Sequence, residues 1–148
     1  GRAIGACHAG WRGTALGIAK KTAQEMVRLF GCNPRNIRAA IGPAIGQCCF
    51  ETDEDVPAAL REALGAEVEA YITWNGTKYH IDLKAVNALW LQKAGVETID
   101  ICDHCTACKP HLYWSHRRVG DARGAQIAMI SLEVDGGNCE FSRCCSLS

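Results

Sequence analysis

The stretch Cys7-His8-Ala9-Gly10-Trp11-Arg12-Gly13-Thr14 constrains this chain more than any other. It stands between a short apolar run, Ala3 to Ala6, and a helical pattern that begins near Thr14. The backbone must therefore turn sharply from a strand over residues 2–8 into a helix, and Gly10 and Gly13 permit that turn. Thr14 is suited to cap the helix. A junction of this kind puts His8 at a strand end, where an imidazole can ligate a metal or move a proton. Arg12 adds a planar fork matched to phosphate or carboxylate.

The remaining pattern mixes strands and helices. Apolar residues at 16, 19, 23, 26 and 30 recur at three- and four-residue spacing, which predicts an amphipathic helix from Thr14 to Phe30, ended by Gly31 and blocked by Pro34. Asn36 to Ile41 reads as a short strand broken by Gly42-Pro43, and Asp53 to Leu64 as a helix with Val56, Leu60 and Leu64 on one face. Asn75-Gly76 between two β-rich runs predicts a hairpin of Tyr71–Trp74 and Lys78–Ile81. Asp82 reads as the N-cap of a helix over Leu83–Lys93, closed by Gly95. Glu97 to Cys102, His111 to Ser115 and Gln126 to Leu132 are strand-like, and residues 135–148 form an irregular tail. The intermixed order predicts an α+β fold with a mixed sheet rather than a doubly wound one. One domain is expected over residues 1–134. Because the chain opens inside a strand-like run, it is expected to be an incomplete domain lacking its upstream part.

Sixteen basic and sixteen acidic residues balance, so no global field favours nucleic acid or an anionic membrane. No run approaches the roughly 18 apolar residues that span a bilayer. Ten cysteines fall short of the roughly 8–10% that marks a disulfide scaffold, and no secretory signal is visible. Reduced thiols in a cytoplasmic setting are expected.

Three groups of side chains carry candidate chemistry. Cys102-x2-Cys105-x2-Cys108, with His111 completing a quartet, has the residue types of a structural zinc site, and the competing reading is a set of ordinary thiols. Arg12, Arg117, Arg118 and Arg123 are candidates for an anion site, with Arg12 favoured by its place beside His8. Cys48-Cys49 is a vicinal pair in a Gly-rich turn, with no argument from sequence for a lowered thiol pKa. His80 and His116 have no assigned chemistry.

Three segments also carry a resemblance. His8-Ala-Gly-Trp-Arg-Gly-Thr14, the run Ile41-Gly-Pro-Ala-Ile-Gly-Gln-Cys-Cys-Phe-Glu51, and the segment from Cys105-Thr106 to Ser115-His-Arg-Arg118 are similar, in order, to the signatures of the YfiH-type family, also called laccase-domain or polyphenol oxidase proteins. The resemblance implies a layered α/β/β/α sandwich. It implies a metal-dependent purine nucleoside enzyme: phosphorolysis of adenosine, inosine or methylthioadenosine, and adenosine deamination. Zinc is the expected cofactor with copper as the alternative, and purine nucleoside and phosphate are the expected partners. A copper-dependent polyphenol oxidase and a non-enzymatic zinc-stapled module are the competing readings. His8 matches the last histidine of the family's His-Cys-His metal site, whose other two ligands lie upstream of the signature in family members. Arg12 is expected to be catalytic and to bind phosphate, with Cys49 in the pocket wall and Arg117 as a further substrate or phosphate contact. His116 stands where the family has a tyrosine.

Overall fold

The structure, a computed structural model, describes residues 3–132. The tail over 135–148, with Cys139, Cys144 and Cys145, and the domain end at 134 lie outside the described residues. The chain order is α1 (Trp11–Ala15), α2 (Ile18–Phe30), β1 (Arg38–Ile41), β2 (Glu51–Thr52), α3 (Asp55–Leu64), β3 (Ile72–Trp74), β4 (Tyr79–Ile81), α4 (Leu83–Lys93), β5 (Thr98–Ile101) and α5 (His116–Val119), with short 3-10 turns between some of them. The fold is α+β, as the pattern predicts. Its parallel and antiparallel strands stand in two sheets: β1 pairs in parallel with β5, and an antiparallel sheet has the order β2-β4-β3, with β4 central.

The best-defined elements are those with local signals at both ends. Asp82 accepts a hydrogen bond from the Ala85 N–H at 3.0 Å and so caps α4, while Gly95 follows its end at φ 85°. Asn75 Oδ1 accepts from the Thr77 and Lys78 N–H groups at 3.0 and 2.8 Å, and this closes the β3–β4 hairpin over Gly76. Gly31 ends α2 in the left-handed region, its N–H bonded to Val27 O.

Two hydrophobic clusters share α4. Val56, Leu60 and Leu64 of α3 pack with Phe50, Ile81 and Val86 in one, and Leu60, Ile81 and Val86 are fully buried. In the other, Ala19 and Ala23 of α2 meet Ile37, Leu91 and Val96, with Ile41 and Ile99 of the parallel strands against them. Trp90 borders both.

Four expectations are corrected. The helix expected over 14–30 is two helices, because Gly17 at φ 69° breaks the ladder between α1 and α2. Thr14 lies inside α1 and not at a cap. The segment 3–8 forms no strand among the described residues and is largely exposed rather than buried. His111–Ser115 and Gln126–Leu132 also lack strand pairing, and Ile127 and Met129 are 85% and 92% exposed. β-propensity needs a neighbouring edge to satisfy N–H and C=O groups, and no edge of the two sheets is paired with these segments.

Candidate functional site

Thr14 fixes the turn that carries His8 and Arg12. Its hydroxyl, fully buried, donates to Ala9 O at 3.4 Å and accepts from Asn87 Nδ2 of α4 at 2.9 Å. Trp90 Nε1 donates to Thr14 O at 2.8 Å. The turn that leads into α1 is thereby tied across 73 residues of sequence to a core helix. His8 and Arg12 sit on its exposed side. The Arg12 guanidinium lies 4.3 Å from the centre of the Trp11 ring, and no carboxylate among the described residues pairs with it. An exposed arginine held on an aromatic face and left without a counter-ion is equipped to take an anion.

His8 stands in no group of three ligating side chains among the described residues. One imidazole does not make a metal site, which takes three or four protein ligands. The described residues alone therefore do not fit the metal that the resemblance implies.

A second locus lies where β1 and β5 end. The parallel pairing runs on past the strands: Cys102 N–H donates to Ile41 O at 2.9 Å, Ala44 bridges Cys105, and Thr106 N–H donates to Ala44 O at 3.0 Å. Each segment then makes one tight turn. Phe50 N–H closes back on Gly46 O at 3.0 Å, and Lys109 N–H on Cys105 O at 3.1 Å. The two turns bring the sulfurs of Cys48, Cys49, Cys105 and Cys108 within 4.8 Å of one another. Cys108 Sγ is 3.6 Å from Cys48 Sγ and 3.4 Å from Cys49 Sγ. Gly46 permits the approach: a Cβ there would stand 3.1 Å from Cys105 Cβ and 3.3 Å from Cys48 Sγ. Its N–H donates to Cys105 Sγ at 3.2 Å.

The thiols differ in acidity. Burial pushes the Cys48 thiol up, and the hydrogen bond to Cys108, together with burial, pushes Cys49 up. Burial also resists ionisation of Cys105, but N–H donation from Gly46, Cys108 and Ala107 outweighs it and lowers this thiol to about 6.

The sequence-predicted residues thus fall into two sets. His8 and Arg12 share the α1 turn. Cys49 and Arg117 flank the β2 entry, where Arg117 Nη1 donates to Glu51 O at 2.8 Å and its guanidinium lies over Phe50. The quartet 102, 105, 108 and 111 is divided: Cys105 and Cys108 join Cys48 and Cys49, while Cys102 groups with Asp103 and His104. His80 also proves structural. Its Nδ1 pairs with Gln47 O at 2.9 Å, and Gln47 Nε2 donates to Tyr71 O at 3.3 Å, so the Gly46–Phe50 turn is fastened to the hairpin. The meeting of the two cysteine pairs was not visible in sequence, since it depends on the parallel register of β1 and β5.

Comparisons with known proteins agree with this architecture. A family model described as multi-copper polyphenol oxidoreductase laccase matches residues 1–133. Purine nucleoside phosphorylase YlmD of Geobacillus stearothermophilus is 41% identical over 136 residues, covering 86% of this chain and 47% of the relative. Human purine nucleoside phosphorylase LACC1 is 33% identical over 138 residues, covering 89% of this chain and 31% of the relative. Adenosine deaminase RL5, from an unknown prokaryotic organism, is 39% identical over 130 residues, covering 86% and 49%. The crystal structure of Bacillus licheniformis YfiH superposes with a TM-score of 0.72 at 43% identity, over 77% of this chain and 44% of that one. The chain spans about half the length, or less, of the curated relatives it matches. With the signature turn, the Gly-Pro segment and the Cys-Thr segment all inside the matched span, the chain belongs to the YfiH-type laccase-domain family.

Proposed function

We propose that this chain is part of a purine nucleoside enzyme that cleaves adenosine, inosine or methylthioadenosine with phosphate and also deaminates adenosine. The observation that carries this is the 41% identity to the purine nucleoside phosphorylase YlmD across a span that includes the His8–Thr14 turn. Adenosine deaminase RL5 supports the second activity.

In phosphorolysis a phosphate oxygen attacks the ribose C1′ while the C1′–N bond breaks, and its electron pair leaves with the base, which then takes a proton. Holding phosphate in line with C1′ turns an encounter into an intramolecular step. Arg12 does this holding: its fork is exposed, steadied on Trp11 and not neutralised by an acid among the described residues. Arg117, at the β2 entry, is a further substrate or phosphate contact, since the bond to Glu51 O uses one of its five guanidinium hydrogens. Cys49 belongs to the pocket wall. His8 would hold one position of the metal centre that the family resemblance implies, zinc in preference to copper, although it stands in no group of three ligating side chains among the described residues. A cytoplasmic setting suits free nucleosides and reduced thiols, and no described helix is long and apolar enough to cross a membrane.

The test is release of purine base from adenosine, with and without phosphate, by the parent chain, Arg12→Ala and Arg12→Lys. Phosphate-dependent release is expected. Arg12→Ala should raise the phosphate KM by at least about tenfold, corresponding to about 1.4 kcal/mol, with partial rescue by lysine. Release that is indifferent to phosphate and to Arg12 overturns the proposal.

A second reading is favoured by the description of the matching family as multi-copper polyphenol oxidoreductase laccase. Oxygen uptake with a diphenol after copper loading, in a preparation inert toward adenosine, would replace the first reading with this one.

A further inference from the structure

We propose that Cys48, Cys49, Cys105 and Cys108 form a tetrathiolate zinc site that staples the Gly46–Phe50 turn to the Cys105–Lys109 turn. The site is separate from His8, and its standing does not depend on the nucleoside reading.

Three features of the structure carry this. Zinc bonded to four sulfurs at about 2.3 Å holds them roughly 3.8 Å apart in a tetrahedron. Here all four sulfurs already lie within 4.8 Å of one another, and two of the pairs are at 3.4 and 3.6 Å. The backbone is shaped for the approach, because residue 46 has no side chain where a Cβ would press on Cys105 and Cys48. Finally, the Gly46 N–H is directed at Cys105 Sγ at 3.2 Å. Four thiolates around a divalent ion leave two net negative charges, and backbone N–H donors to ligand sulfurs are what offsets such charge.

The donor set selects the ion. Four soft thiolates in a tetrahedral array suit zinc, and exclude magnesium and calcium, which take oxygen ligands. With all four positions filled by protein, no place remains for water or substrate, so the site is structural. Each thiol that ligates gives its proton to solvent, so binding releases protons and tightens as pH rises. The mechanical result follows from the connections. Cys49 leads directly into Phe50 and Glu51, against which Arg117 packs, so the staple would set the position of that wall.

The probes are zinc and cobalt(II) alone, added to the full chain purified under reducing conditions. One zinc per chain is expected by elemental analysis. Cobalt should give the thiolate charge-transfer absorption and the intense visible bands of a tetrahedral site. Loss of even an outer-shell partner costs about 10–100-fold in metal affinity, so Cys48→Ser and Cys108→Ser should each weaken binding by more than about tenfold. Cys7→Ser and Cys32→Ser, at thiols that belong to no ligand group among the described residues, should leave it unchanged. If the cluster variants do not fold, alkylation of the parent chain decides the question. Zinc should protect cysteines 48, 49, 105 and 108, and a chelator should expose them. Absent uptake, a spectrum indifferent to Cys108→Ser but abolished by Cys102→Ser, iron in place of zinc, or a Cys49–Cys108 disulfide in a chain that takes up no metal after reduction each overturns the proposal.

Discussion

Replacing Thr14 with valine keeps the shape of a fully buried side chain and removes only its hydroxyl. The cost is set by what it leaves behind on α4. Asn87 Nδ2 carries two hydrogens, one donated to Leu83 O at 2.7 Å and one to Thr14 Oγ1 at 2.9 Å. Asn87 is buried, and its Oδ1 already lacks a partner among the described residues. Thr14→Val therefore strands an N–H in an amide that is incompletely satisfied to begin with. A stranded buried donor costs about 1–3 kcal/mol. At this chain length each kcal/mol lowers the melting temperature by about 2–4 °C, so a fall of about 4–8 °C is expected for about 2 kcal/mol. The pairing of Trp90 with Thr14 O is a main-chain contact and survives. Adding Asn87→Leu removes the stranded amide, and the double variant should recover most of the loss, since replacing both partners of a buried pair by apolar groups is nearly neutral. Thermal and urea unfolding followed by circular dichroism measures all four corners of the cycle. A Thr14→Val melting point within about 1 °C of the parent, or single costs that simply add in the double variant, refutes the assignment of Thr14 as the acceptor that holds this junction.

Thr52 Oγ1 is buried with no hydrogen-bond partner among the described residues, so Thr52→Val should raise stability by about 1 kcal/mol in urea titration. Leu60 is fully buried between α3 and the hairpin, and Leu60→Ala should cost about 2–5 kcal/mol by the same assay. Asp82→Ala removes the one side-chain cap of α4 and should cost about 1 kcal/mol, with amide exchange rising first at the Ala85 N–H.

What was legible in the sequence was whatever is decided within a few residues. The helix over Leu83–Lys93 is found at its predicted bounds because Asp82 and Gly95 mark its ends chemically. The Asn75-Gly76 hairpin is found because the asparagine side chain builds the turn itself. By contrast, the period of apolar residues from 16 to 30 ran smoothly through Gly17 and concealed a break that only its positive φ reveals. The strand-like runs at 3–8 and 126–132 have suitable residues and no paired edge, a fact of topology and not of composition. The candidate site divided the same way. Arg12 and His8 stand together because four residues of chain keep them together, and their shared turn was readable. The thiol group was only half readable: Cys105-x2-Cys108 shows in sequence, whereas its joining with Cys48 and Cys49 required β1 and β5 to lie side by side.

Helix α4 lines both hydrophobic clusters and also grips the Thr14 turn through Asn87 and Trp90. A wall common to two rooms cannot be taken down for one of them alone. The clusters should therefore open as a single cooperative unit, with exchange protection at Leu91 matching that at Val86. The same sharing makes the helix a distant listener: an anion held at Arg12 stabilises the turn on which it sits, and by linkage slows opening along the whole length of α4. The slowest amides in the molecule would then report on occupancy of an exposed arginine.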